Sequence, residues 1–143
     1  MVISKANAQW NGNLKTGNGS MKPANAAEIA FSAGTRFEGQ KGSTPEELIG
    51  AALAGCFSMA LSVGLERAGA APKNVRTSAD VKIEKLEAGF TITSIALVSE
   101  VEASGIDEAK FQEVAAATKK GCPVSRALAS VSEITLKATL KAS

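Results

Sequence analysis

Histidine and tyrosine are absent from this sequence, and it has only two cysteines and one tryptophan. Without histidine, Ser-His-Asp and Cys-His nucleophiles are excluded, and the commonest metal ligand is missing. Cys56 and Cys122 lie far apart, with no Cys-x-x-Cys, so zinc lacks four good ligands. Neither a metal nor a cofactor is expected. Charge of neither sign dominates, with 16 Lys+Arg against 14 Asp+Glu. The lysines are spread rather than blocked, which argues against a nucleic-acid partner. The start, Met1-Val2-Ile3-Ser4-Lys5, has no apolar core of a signal peptide. A cytoplasmic, reducing setting is therefore expected. There a structural disulfide is disfavoured, and a transient catalytic or sensing pair is the usual exception.

What is present reads as one α+β domain spanning 1–143, with ordinary 45% apolar and 21% charged content. Ile3 to Trp10 reads as extended, ahead of the turn signal Asn11-Gly12-Asn13. Leu14 to Met21 contains a second turn signal, Thr16-Gly17-Asn18-Gly19, and Glu28 to Ser32 is a short strand candidate. Residues 33–44 read as a glycine-rich loop. Thr44 is a natural N-cap, Pro45 fits the first helical position, and Glu47 falls three residues after the cap. The helix begun there should run to about Arg67, before Gly69 and Pro72. Val75 to Lys85 alternates apolar and polar residues, Ala88-Gly89 turns the chain, and Phe90 to Val101 forms a second long strand. Asp107 caps a helix to about Lys120, Cys122-Pro123 opens a short third helix to about Ala129, and Glu133 to Lys141 closes with a strand. The order is βββ-α-ββ-α-α-β, with helices on one face of antiparallel sheets.

The long helix is uncharged from Leu48 to Leu65. A membrane span is disfavoured, because the stretch is rich in Gly, Ala and Ser and barely long enough. It reads instead as a central helix buried on nearly every side. One sheet covers only one face of such a helix. The small residues Gly50, Ala51, Ala52, Ala54 and Gly55 would admit a second helix closely, so a symmetric homodimer is the economical cover.

Cys56 falls midway along that helix among apolar neighbours, where a thiol is usually an inert core group unless a cation is near. Cys122 can cap the following helix close to Lys119 and Lys120, and local reasoning alone favours it as nucleophile. Arg36 sits in the Gly-flanked loop, where a solvated arginine is the plain reading. Glu47 has a plain reading as a capping residue, and Glu46 as a solvated neighbour.

Taken together these residues form a pattern. Thr35-Arg36-Phe37-Glu38-Gly39, then Gly42 through Ala52, then Ala54-Gly55-Cys56-Phe57-Ser58-Met59-Ala60-Leu61-Ser62, and finally Gly121-Cys122-Pro123-Val124-Ser125, resemble the OsmC/Ohr family, in its OsmC branch. The resemblance covers nearly the whole chain. It implies an intertwined homodimer with active sites at the subunit interface and a thiol peroxidase that favours organic hydroperoxides. Cys56 matches the peroxide-attacking cysteine, Cys122 the resolving cysteine, Arg36 the thiolate-activating arginine, and Glu47 the glutamate that holds it. Arg36 supplies the cation that Cys56 otherwise lacks, so the family's order of the two cysteines is preferred. Leu53 stands where similar OsmC members often carry histidine.

The implied chemistry runs from a Cys56 thiolate through a sulfenic acid to a Cys56–Cys122 disulfide, reset by a dithiol that is either a small thiol or a lipoylated protein. Phe37, Phe57 and Met59 are candidate pocket walls. Glu47 and Cys56 are nine residues apart on one helix, about 13 Å along the axis and roughly half a turn around it. A site using both is expected to form between subunits. The rival readings are a dimeric redox sensor and an apolar-ligand-binding module without turnover.

Overall fold

The computed structural model describes residues 1–142. The chain divides into two compact units, Met1–Glu47 and Leu48–Ser143.

In the first unit, β1 (Ala6–Asn11), β2 (Asn18–Pro23) and β3 (Ile29–Phe31) form an antiparallel sheet in that order. Trp10 and Phe31 meet over the middle strand with ring centroids 5.5 Å apart. Gly19 lies between them in register. A Cβ there would stand 2.7 Å from Phe31 Cε1 and 2.8 Å from Trp10 Cε3, so only glycine lets the rings close. The segment expected as loop contains a short helix, α1 (Ala33–Phe37). Its capping box is local: the Ser32 hydroxyl accepts from the Thr35 amide, and the Thr35 hydroxyl accepts from the Ser32 amide. Propensity cannot announce a helix this short, which exists because its first donors are satisfied.

Helix α2 (Pro45–Arg67) begins where its cap signal placed it, with the Glu47 amide donating to Thr44 Oγ1 at 3.1 Å. In the second unit, Leu53, Phe57, Leu61 and Leu65 recur every four residues on one face of α2 and are wholly buried. They share a core with Ile95, Leu97 and Val101 of β5 (Gly89–Ser104) and with Phe111 and Ala115 of α3 (Glu108–Gly121). β4 (Ala71–Leu86) pairs antiparallel with β5 through a tight turn. The alternation read in β4 is real: Val75, Thr77, Ala79, Val81 and Ile83 face inward.

β6 (Glu133–Ala142) corrects the expectation of purely antiparallel sheets, for it joins β5 in parallel, with Ile95 opposite Ile134. The crossover through α3 and α4 (Pro123–Ala127) returns the chain to the same end of the sheet, as a parallel pairing requires.

Within the chain, a glycine of α2 makes room for a second helix. Gly64 lets α3 in, since a Cβ there would meet Val114 Cγ1 at 2.9 Å, whereas Gly55 faces open space. A single chain also leaves much of α2 open. Its most apolar window has a mean hydropathy of 2.0 yet is only 28% buried, and Met59 and Val63 are exposed. In one chain the sheet and α3 cover a single stripe of α2; burial of its other sides was expected only with a second copy.

Truncating that stripe should be costly. Leu61→Ala is expected to lower unfolding free energy by about 2–5 kcal/mol, measured by urea denaturation.

Candidate active site

The junction between α3 and α4 organises the second unit's chemistry. α3 ends at Gly121, and the Cys122 amide donates to the Thr118 carbonyl at 3.0 Å. Cys122 then turns extended, with φ −65 and ψ 141, and caps α4. Pro123 has no amide hydrogen, so Val124 and Ser125 carry the first free amides of α4.

Each of these two amides meets a different sulfur. The Ser125 amide donates to Cys122 Sγ at 3.4 Å, and the Val124 amide hydrogen-bonds Cys56 of α2. The side chains of the two cysteines are themselves within hydrogen-bonding reach, and both are free thiols. Cys122 is 3% exposed while Cys56 is half-buried, so solvent and small solutes meet Cys56 first.

Burial pushes the Cys56 thiol above its ordinary value of 9.0; the Val124 amide opposes this, and the neighbouring Cys122 reinforces it. Within its own unit the surroundings of Cys56 thus favour the neutral thiol, and a positive charge nearby would favour the thiolate. Beneath it, a hydroxyl chain ties α2 to the sheet: Ser58 donates to Thr77 at 2.8 Å, and Thr77 lies 3.0 Å from the wholly buried Ser99. Met59, Val63, Val114 and Cys122 help line a groove of about 470 Å³.

The first unit holds the candidate cation. Arg36, in the last turn of α1, binds a carboxylate with both Nε and Nη2, at 3.0 and 2.6 Å from the same oxygen. That carboxylate belongs to Glu46, which is 5% exposed. The expected partner, Glu47, is not the one, and this is a correction. Successive helical residues point about 100° apart, so only one of the two glutamates can turn inward. Glu47 faces solvent and accepts from Ser43 Oγ at 2.8 Å. The capping signal carried the clue, because a residue occupied with the helix start is poorly placed to hold the arginine.

The Arg36 guanidinium also lies 5.1 Å over the Phe37 ring. With Trp10, Leu14, Phe31 and Phe37 it lines a pocket of about 300 Å³. Of the candidate walls, Phe37 lines this pocket and Met59 the groove beside Cys122. Phe57 is wholly buried core.

Residues 38–137 match the model of a family described as OsmC-like protein. The chain belongs to the OsmC-like family. It is 48% identical over 142 residues, 98% of each chain, to proteins named Peroxiredoxin OsmC from Escherichia coli (strain K12) and from Shigella flexneri. Its fold is similar to that of an OsmC-like protein from Mycoplasma pneumoniae, with TM-score 0.76, 16% identity and 97% of each chain covered. It is also similar to the organic hydroperoxide resistance protein OhrB of Bacillus subtilis, with TM-score 0.66, 24% identity, and 96% and 98% covered. The element order and the two-sheet α+β architecture are thus those of the OsmC-like family.

The two adjacent glutamates should differ in what their loss costs. Glu46→Ala strips a largely buried charge-assisted pair and is expected to destabilise by about 1–3 kcal/mol. Glu47→Ala removes an exposed contact and should cost less than about 1 kcal/mol. Paired urea titrations check the contrast, and equal losses would remove the distinction.

Proposed function

We propose that this chain reduces organic hydroperoxides to alcohols with Cys56 as nucleophile and Cys122 as resolving thiol. The observation that carries the proposal is that α4 gathers two reduced sulfurs from different helices, one half-exposed and one buried beneath it, in a chain nearly half identical to proteins named peroxiredoxin.

In the proposed cycle, the Cys56 thiolate attacks the distal peroxide oxygen. The oxygen–oxygen bond breaks, the distal hydroxyl stays on Cys56 as a sulfenic acid, and the departing alkoxide takes a proton from solvent to leave as the alcohol. The Cys122 sulfur displaces hydroxide from the Cys56 sulfur, the hydroxide departs as water, and the disulfide forms. An external dithiol, a small thiol or a lipoylated protein, returns both thiols and is itself oxidised. A reducing cytoplasm suits this cycle, since it keeps the resting pair as thiols.

Arg36 is the proposed cation that opposes the upward push on Cys56 and steadies charge on the departing oxygen. Glu46 takes the positioning role first expected of Glu47, fixing the guanidinium by two nitrogens. Glu46 and Cys56 are ten residues apart on α2, about 15 Å of helix rise. That spacing favours a guanidinium delivered from a second copy of the chain, in a homodimer. The apolar stripe on α2 that one chain leaves open, with Met59 and Val63 exposed, supports the same association.

Three outcomes are expected. In assays with an alkyl hydroperoxide, Cys56→Ser abolishes its consumption, whereas Cys122→Ser without added thiol consumes one equivalent to form the sulfenic acid, and further equivalents overoxidise Cys56 on mass spectrometry. Peroxide reactivity equal in wild type and Cys56→Ser would sink the proposal.

The second concerns pH. A raised thiol pKa means that the thiolate is scarce at neutral pH and grows as pH rises. In Arg36→Ala the alkylation rate of Cys56 should therefore still be climbing at pH 9.0. In the assembled wild type it should level off at lower pH, with a neutral-pH rate higher by about tenfold or more.

The third concerns assembly. A variant held monomeric by charges at Met59 and Val63 should lose peroxidase activity while keeping its fold. Full activity in a proven monomer would refute delivery from a second copy.

A further inference from the structure

Of the buried polar side chains that the cycle above leaves without a part, Ser99, Thr118 and Ser125, the last bonds a reacting sulfur. Ser125, in the first turn of α4, is 7% exposed. Its Oγ accepts the Cys122 S–H at 3.1 Å, and its amide donates to the same sulfur at 3.4 Å. Ser125 thus meets Cys122 twice, once through an amide that any residue here would supply and once through a hydroxyl that few would. A thiol is a weak partner, so this bond offsets little of the cost of burying a hydroxyl. An alanine would fit the space without that cost.

The buried sulfur also has a specific need. To attack Cys56 it must shed its proton in a place almost closed to water. A hydroxyl can serve both protonation states in turn, because its hydrogen rotates. It accepts from the thiol, which fixes the sulfur's rotamer, and it donates to the thiolate as charge develops.

We propose that Ser125 is the positioning residue of the resolving step, its hydroxyl first holding the Cys122 S–H and then donating to that sulfur as it attacks Cys56. The inference rests on the proposed thiol cycle for its biological meaning. In that step the sulfur–sulfur bond forms, the Cys56 sulfur–oxygen bond breaks, and the proton shed by Cys122 leaves with the hydroxide as water.

The test uses an oxidant other than peroxide. An aryl disulfide that releases thionitrobenzoate reacts with Cys56 in a first phase. Cys122 then displaces a second thionitrobenzoate from the mixed disulfide on Cys56, shedding one proton to solvent. Stopped-flow absorbance separates the two releases. Ser125→Ala is expected to slow the second release about tenfold, the size of one lost hydrogen bond to a charged group. Ser125→Thr, which keeps the hydroxyl, should recover it to within about threefold of wild type. Ser125→Gly, with the same expectation as alanine, serves if the alanine variant does not fold.

A merely structural role would make the rates follow thermal stability rather than the presence of the hydroxyl. A second release as fast in Ser125→Ala as in wild type, or as slow in Ser125→Thr as in Ser125→Ala, overturns the inference. Wild type that closes the disulfide with this reagent yet consumes no organic hydroperoxide would sink the peroxidase reading instead. The variant comparison would still decide the role of Ser125.

Discussion

Two consecutive amides of a five-residue helix hold the sulfurs on which everything else depends. The geometry follows from Cys122-Pro123-Val124-Ser125. Proline fixes the first helical residue and contributes no donor. The next two amides are left without helical acceptors, as at the start of any helix. Sulfur is a poor acceptor, but here it is what α2 and the α3 end present. The fold must therefore hold α2 firmly beside α4, and it does so with the Leu53-Phe57-Leu61-Leu65 stripe on the β5 core. Cys56 is the residue just before the deeply buried Phe57, which places its sulfur at the edge of the core, partly covered and still reachable.

Much of this was legible in the sequence because the signals were local. Thr44-Pro45 fixed the start of α2, Asp107 and Gly121 bracketed α3, and the Val75–Ile83 alternation marked the inward face of β4. Less legible were features decided by the rest of the chain. The parallel partner of β5 depends on where a two-helix crossover delivers the last strand, which periodicity does not encode. Helix α1 is too short for propensity and rests on a reciprocal cap. The choice between Glu46 and Glu47 is a question of helical phase. Glu47 does sit at the helix start, its amide on Thr44 and its carboxylate on Ser43, and the resemblance assigned it a duty that its neighbour fulfils. Ser125 closed a motif but carried no role of its own, because a serine after Cys-Pro-Val reads as an ordinary first-turn residue. Only its burial and its 3.1 Å contact with Cys122 set it apart.

The absence of histidine shapes how such a site can be run. A histidine beside a cysteine both removes its proton and supplies a cation. Here those two tasks are divided. Under the proposed reading a guanidinium offers charge and no base, and Glu46 holds Arg36 as a fork rather than a diffuse point. On that reading the Cys56 proton goes to solvent, which suits a sulfur that is partly exposed.

Burial and reactivity pull Cys56 in opposite directions. Covering the sulfur raises its pKa and suppresses the thiolate. Exposing it further would restore the thiolate but leave it open to unwanted oxidants. Under the proposed reading a cation on a separate structural unit resolves the conflict, since the sulfur becomes a nucleophile only where the guanidinium is brought to it. A thiol built this way is quiet by default, and its chemistry is conditional on assembly. The same logic explains why the resolving sulfur sits deeper. On the proposed reading Cys122 meets only the sulfenic acid formed beside it and not the peroxide, so full burial costs it no substrate access. In place of a cation, it has an amide and a hydroxyl from one residue.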